Sequence, residues 1–310
     1  MSTVLTASEI MRRSLVTLAP EDDVFTSVAR LLKDNISGAP VIDDKGNYLG
    51  VFSEKCSIAA LTTAVEAARE VGLHVVQVRE FMTRNLVTLS ADMCVFDAID
   101  HILSRRISGA PVLDDRGNYA GIFSEKTAMR VLASALLDHL PGTNVGAYMN
   151  LDRNRIISED DMLLDVAYKF QKTPYRRLPV LRGERLAGQV SRRDVLKAEH
   201  RLANEVVSQA GTSTNELVLA AATPKFVGDF MDRAALTAAP STDLLGITQM
   251  FLNSPYRRLP IVTDEKLVGQ VSRRDLLGAA AKIMKPIKPK LRAETLYLST
   301  VAKSAPPMTR

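Results

Sequence analysis

Residues 175–196 read YRRLPVLRGERLAGQVSRRDVL, and residues 256–277 read YRRLPIVTDEKLVGQVSRRDLL. Each sets two adjacent arginines before Leu-Pro and closes on Ser-Arg-Arg-Asp. Two related stretches stand upstream, ISGAPVIDDKGNYLGVFSEKCS at 36–57 and ISGAPVLDDRGNYAGIFSEKTA at 107–128. In all four, two short apolar runs flank a turn, which is the pattern of a β-hairpin. Repetition of this kind governs the whole fold. Outward from the hairpins, the units align on Met11, Met82, Met149 and Met231, on Pro40, Pro111, Pro179 and Pro260, and on Ser53, Ser124, Ser191 and Ser272. Four units therefore follow one another at spacings of about 70 to 80 residues.

Each unit reads the same way. A short extended piece follows the methionine, such as LVTL at 15–18 and 86–89, and an acidic or polar cluster then suits the start of a helix. Val24, Val28, Leu31 and Leu32 fall on one helical face, and Val95, Ile99, Ile102 and Leu103 repeat the pattern. The hairpin comes next, and a second helix opens just after the serine. The order β-α-β-β-α is written four times, an α/β (α+β) fold. The units are expected over 1–62, 75–140, 141–200 and 224–283, with 284–310 as a basic flexible tail. The connection 197–226 reads as helix broken near Gly211.

Composition narrows the class. A chain of 310 residues, 46% hydrophobic and 24% charged, is globular and can bury a sizeable core. No apolar run approaches the roughly 20 residues of a membrane span. The opening MSTVLTASEIMRRS lacks the order of a secretory signal. Cys56 and Cys94 are too few for a disulfide framework, so a cytoplasmic location is expected. His74, His101, His139 and His200 never fall at metal-ligand spacing. The net charge of +5 is local: residues 282–310 carry seven basic side chains against Glu294, and the remainder is nearly neutral. The body thus lacks an overall nucleic-acid signature.

The methionine-strand start, the Pro-Val hairpin and the Gly-φ-x-Ser-x-x-Asp close (φ apolar) resemble the CBS-domain family, named from cystathionine β-synthase. The resemblance covers about residues 8 to 283. It implies that repeats pack through their sheets into pseudo-symmetric Bateman modules, here repeat 1 with 2 and repeat 3 with 4. It further implies that modules pair into a disc, either within one chain or as a homodimer.

Ser191 with Asp194, and Ser272 with Asp275, have the spacing of helix caps. The arginine pairs could equally be solvated surface charge. Yet Arg176-Arg177 and Arg257-Arg258 occur only in the two units that end in Asp. Units 1 and 2 carry Ser37-Gly38 and Ser108-Gly109 at those places, with Cys56 and Thr127 where the aspartates would stand. A cap gives no reason for that association, whereas a nucleotide does. Guanidiniums fit phosphate oxygens, a carboxylate accepts from a ribose diol, and a helix N-terminus donates to an anion. The resemblance implies the same roles: the aspartates hold ribose, the basic residues phosphate, and the first strand, at Ile156 and Thr237, adenine. The candidate site is then Ile156, Arg176, Arg177, Ser191, Arg193, Asp194, Thr237, Arg257, Arg258, Ser272, Arg274 and Asp275, in a cleft between repeats 3 and 4. Its ligand is AMP, ADP or ATP, with S-adenosylmethionine not separated from them. Repeats 1 and 2 are assigned to assembly.

The sequence offers no Ser-His-Asp order, no P-loop and no metal-ligand cluster, and the four repeats leave no span for a catalytic domain. The expectation is a stand-alone regulatory nucleotide sensor, not an enzyme, that acts on a separate target protein by conformational or assembly change. The rival reading is an interaction scaffold that contacts nucleic acid through the tail segment KIMKPIKPKLR.

Overall fold

The computed structural model describes residues 5–73, 76–136, 143–209 and 216–284. The expected helix break at Gly211, and the tail beyond Met284, lie outside the described residues. Each unit supplies a helix, a hairpin and a second helix. Repeat 1 has α1 (Val24–Lys33), β1 (Gly38–Ile42), β2 (Tyr48–Ser53) and α2 (Glu54–Glu70). Repeat 2 has a two-residue β3 (Leu89–Ser90), α3 (Val95–Ser104), β4 (Gly109–Leu113), β5 (Tyr119–Ser124) and α4 (Glu125–Leu136). Repeat 3 has α5 (Leu163–Lys172), β6 (Arg177–Arg182), β7 (Arg185–Ser191) and α6 (Arg192–Gln209). A helix α7 (Glu216–Ala222) leads to repeat 4, with α8 (Leu244–Leu252), β8 (Arg258–Thr263), β9 (Lys266–Ser272) and α9 (Arg273–Met284).

Local chemistry explains the elements. Helix α1 starts where the Asp23 carboxylate accepts from the Thr26 amide at 2.8 Å, and it buries Val24, Val28 and Leu31. The hairpins are antiparallel. In repeat 4 the two-residue turn Asp264-Glu265 has positive φ at both positions, the geometry that matches the twist of the strands. The first extended piece of every repeat pairs in parallel with the first hairpin strand, at Leu18↔Val41, Leu89↔Val112, Ile157↔Val180 and Ala238↔Ile261. Ile156 and Thr237 therefore sit in the same register, one residue before the bridge.

The repeats do not pair as the resemblance implied. The segment after each starting methionine adds to the second hairpin strand of another repeat. Arg12 and Gln270 exchange backbone hydrogen bonds of 2.9 and 3.0 Å, and Val51 and Asp232 exchange bonds of 3.0 and 2.8 Å, which joins repeat 1 to repeat 4. Thr83 with Gln189, and Ile122 with Asn150, join repeat 2 to repeat 3 in the same reciprocal way. The modules are thus 1 with 4 and 2 with 3. The seams need bare backbone. A Cβ on Gly50 would lie 2.7 Å from the Asp232 carbonyl oxygen, and one on Gly121 would lie 2.8 Å from that of Asn150.

Helices close the remaining contacts. Helix α2 packs on α5, α6 and α7, so repeats 1 and 3 share one core that includes Leu31, Phe52, Phe170 and Leu196. Helix α4 packs on α8 and α9, so repeats 2 and 4 share another around Ile102, Phe123, Phe251 and Leu277. Each repeat meets one neighbour through its sheet and another through its helices, and the four close a ring within one chain.

Candidate functional site

The two arginine pairs lie where the ring closes, and each guanidinium reaches a different repeat. Arg176 of repeat 3 bonds Glu54 of repeat 1 at 3.2 Å, and Arg193 bonds the same carboxylate at 3.2 Å. Arg257 of repeat 4 grips Glu125 of repeat 2 through Nε at 3.0 Å and Nη2 at 2.8 and 3.0 Å. Arg274 lies 3.7 Å from Glu125 and donates to the Arg106 carbonyl at 2.7 Å. The second arginine of each pair turns to the sheet neighbour. Arg177 donates to the Gly109 carbonyl at 2.8 Å and Arg258 to the Gly38 carbonyl at 3.0 Å. The first arginine thus spans a helical contact and the second a sheet seam.

Glu54 and Glu125 were missed by reading the sequence for ligand chemistry. A signal existed: units 1 and 2 continue the closing serine with Glu-Lys where units 3 and 4 continue with Arg-Arg. Both carboxylates are buried, with side chains 7% and 3% exposed. Buried charges require partners, and the arginines provide them.

The serine–aspartate pairs are reciprocal caps. Asp194 Oδ2 accepts from the Ser191 amide at 2.8 Å and hydroxyl at 2.6 Å, while the Asp194 amide donates back to the Ser191 hydroxyl oxygen at 3.3 Å. Ser272 and Asp275 repeat this at 2.9, 2.6 and 3.2 Å. Capping does not consume Asp275. Its Oδ1 accepts from Arg12 at 3.2 and 3.3 Å, and Arg12 is 68% exposed.

Burial, and after it the crowding of guanidiniums, sets the electrostatics. Burial and then the neighbouring charge of Arg257 hold Arg176 well below, and Arg177 below, the ordinary arginine range. The same two causes bring Arg258 and Arg273 down to about 10, and burial brings Arg192 to about 10. At about 10 these groups remain cationic at neutral pH. Arg192 and Arg273 are structural: each donates to carbonyls at the end of its own repeat's first helix, Phe170 and Thr173 for one, Phe251 and Ser254 for the other.

Two clefts open beside this junction. The larger, about 350 Å³, lies between repeats 2 and 3 and reaches Arg257 and Arg273 of repeat 4. The smaller, about 210 Å³, lies on the seam of repeats 1 and 4. It brings Leu15, Val16, Ile36 and Pro40 together with Arg257, Arg258, Ser272, Arg274 and Asp275. Neither of these two is a cleft between repeats 3 and 4, because the sheets pair 1 with 4 and 2 with 3. Arg176 and Arg177 line the larger cleft. Ser191, Arg193, Asp194, Ile156 and Thr237 line neither, and the Ile156 carbonyl accepts from Lys169 Nζ at 3.0 Å. Among the described residues no cluster of His, Cys, Asp and Glu could hold a metal, and no helix is long and apolar enough to cross a membrane.

The family model of the CBS domain matches residues 7–55, 78–134, 148–201 and 227–282. The chain belongs to the CBS-domain family. Protein MJ1225 of Methanocaldococcus jannaschii is 26% identical over 202 residues, 64% of this chain and 68% of the relative. The 5'-AMP-activated protein kinase subunit gamma-3 of Homo sapiens is 24% identical over 139 residues, 41% of this chain and 27% of the relative. Among solved structures, CBSX2 in complex with AMP is 27% identical, spans 41% of this chain and 97% of its own, and gives a TM-score of 0.37.

Proposed function

We propose that this chain is a regulatory adenine-nucleotide sensor, without catalytic activity of its own, and that it binds nucleotide on the sheet seam between repeats 1 and 4. One observation carries the reading: a single cleft joins an aliphatic wall, a carboxylate and a set of guanidiniums. Leu15, Val16 and Ile36 suit a purine, Asp275 suits a ribose diol, and Arg257 and Arg258 suit a phosphate. The cleft lies just below the usual range for small-ligand pockets, and the exposed Arg12 at Asp275 is its movable wall. Exposed ion pairs are worth about 0–1 kcal/mol, so Asp275 is cheaply released to a ligand. The seam of repeats 2 and 3 repeats the arrangement around Arg177, Ser191 and Asp194, with Thr83 in the place of Arg12. Guanidiniums favour AMP, ADP or ATP over S-adenosylmethionine, which brings no phosphate. The human relative's name, with AMP activation in it, supports the same ligand class.

Signalling follows from Arg257. A phosphate that draws its guanidinium competes with Glu125, the tie between repeats 4 and 2. Only such differential contact lets a ligand shift an equilibrium, and loosening this tie alters the helical contact that a target protein reads. Calorimetry with AMP and adenosine tests the proposal. Asp275→Ala should weaken AMP by roughly ten- to hundredfold, the loss of about 1.5–3 kcal/mol for a hydrogen bond to a charged group. Unchanged affinity would return Asp275 to capping alone.

A further inference from the structure

The aspartates of the two seams are not equally free. Asp275 spends Oδ2 on its cap with Ser272, and its Oδ1 accepts from Arg12 Nε at 3.3 Å and Nη2 at 3.2 Å. Asp194 caps Ser191 through Oδ2 in the same way, but its Oδ1 has no hydrogen bond or ion pair among the described residues. Thr83, the counterpart of Arg12 in the ladder of that seam, is too short to provide one. The backbone of Arg12 is fixed, since it exchanges hydrogen bonds of 2.9 and 3.0 Å with Gln270. Its side chain is 68% exposed, against 15% for Asp275, so the guanidinium can swing without disturbing the seam. Charge limits where it can go. Arg12 lines the same cleft as Arg257 and Arg258, and after burial and Arg257 its charge helps to bring Arg258 down to about 10. Neighbouring cations repel each other, and a phosphate that enters between them relieves both.

We propose that Arg12 makes the seam of repeats 1 and 4 selective for phosphorylated over unphosphorylated adenosine, by exchanging Asp275 for the ligand's phosphate. The inference rests on the nucleotide reading of this seam and adds a specificity-determining residue to it. A ribose diol that claims Asp275 Oδ1 must first displace Arg12. Adenosine offers the displaced guanidinium only water, so the broken ion pair counts fully against its binding. An adenine nucleotide offers it a phosphate beside Arg258, which replaces the pair that was lost. The seam of repeats 2 and 3, with Thr83, lacks this device.

Calorimetry with adenosine and AMP on Arg12→Thr, which installs the residue of the other seam, is the test. The full chain carries Asp194→Ala in both the parent and the variant, so that the seam of repeats 1 and 4 is read alone. An exposed ion pair shifts an equilibrium by up to about fivefold. Arg12→Thr should therefore tighten adenosine by about three- to fivefold, while AMP stays level because it loses a contact and a competitor together. Salt gives a second reading, since it screens exposed charges. Added salt should tighten adenosine and weaken AMP in the parent, and should leave adenosine level in Arg12→Thr. Equal tightening of both ligands would make Arg12 a cover that is blind to phosphate, and no change in either would make it surface charge. Both results overturn the proposal and leave the nucleotide site standing. If Asp275→Ala fails to weaken AMP, the nucleotide reading itself falls, and this proposal with it.

Discussion

Glu125→Gln removes one charge from the tie between repeats 2 and 4 and leaves its shape nearly intact. The carboxylate is 3% exposed and accepts three contacts of 2.8–3.0 Å from Arg257, itself 22% exposed. Breaking a buried pair by removing one partner costs about 3–5 kcal/mol, because the other charge stays buried without compensation. Arg257 borders both clefts and can take up water there, which favours the lower end, about 3 kcal/mol. Arg274 at 3.7 Å is a third exposed and adds little. Arg257→Gln should cost a similar amount, and the double variant much less than the sum. The assay is a double-mutant cycle by urea unfolding, followed by far-ultraviolet circular dichroism since the chain has no tryptophan. A coupling of about 2 kcal/mol or more is expected for a buried pair of this kind. The exposed pair Arg153–Glu184 serves as the control and should show no measurable coupling. If Glu125 and Arg257 couple by less than about 0.5 kcal/mol, the value of an exposed pair, the arginine pairs are not ties between repeats.

Further outcomes follow from buried groups and from the seams. Glu199 on α6 is fully buried, neither carboxyl oxygen has a hydrogen-bond partner among the described residues, and burial raises its pKa well above the ordinary value. The nearby Thr62 hydroxyl is donated to the Ile58 carbonyl. Because the folded chain keeps a proton that the unfolded chain loses above about pH 4.3, stability falls as pH rises from there toward the folded pKa, by up to about 1.4 kcal/mol per unit. Glu199→Gln should therefore raise the melting temperature at neutral and alkaline pH, with the gain shrinking toward about pH 4.3; a variant less stable than wild type at alkaline pH contradicts this. Gly50→Ala forces a Cβ against the Asp232 carbonyl and should cost about 1–3 kcal/mol, with faster amide exchange at Val51 and Asp232. Gly278→Ala, in α9 with nothing within 4 Å of the new Cβ, should instead stabilise by up to about 1 kcal/mol. Equal effects of the two glycine substitutions would mean that the seam is not closely packed.

The repeat and its element order were legible because hairpins, helical faces and closing serines write a period into the chain. The partner of each repeat was not. Met11, Met82, Met149 and Met231 all precede an equivalent edge-forming segment, and all four second strands carry a glycine for it, so the pattern suits several pairings equally. Three-dimensional closure chooses among them. At the site, the arginines announced themselves through their association with Asp194 and Asp275, and their spacing also contained the caps that form. Their destination was harder to see. Glu54 and Glu125 answer Arg176 and Arg257 from more than a hundred residues away, and only a comparison of Ser-Glu-Lys with Ser-Arg-Arg carries that complementarity. In the proposed site the purine wall differs from the expected one for the same reason as the pairing: Ile156 and Thr237 hold the expected register, yet the first strand that shares a cleft with Asp275 is the Leu15–Val16 stretch of repeat 1.

Photolabelling with 2-azido-AMP, followed by peptide mapping of the full chain, tests the central claim most directly. The predicted labels fall on residues 14–16 and 36–40 of repeat 1, with their equivalents at 85–87 in repeat 2, and the repeat 1 labels disappear in Asp275→Ala. Labels on residues 155–158 and 236–239, the first strands of repeats 3 and 4, would contradict the account and restore the cleft between those two repeats.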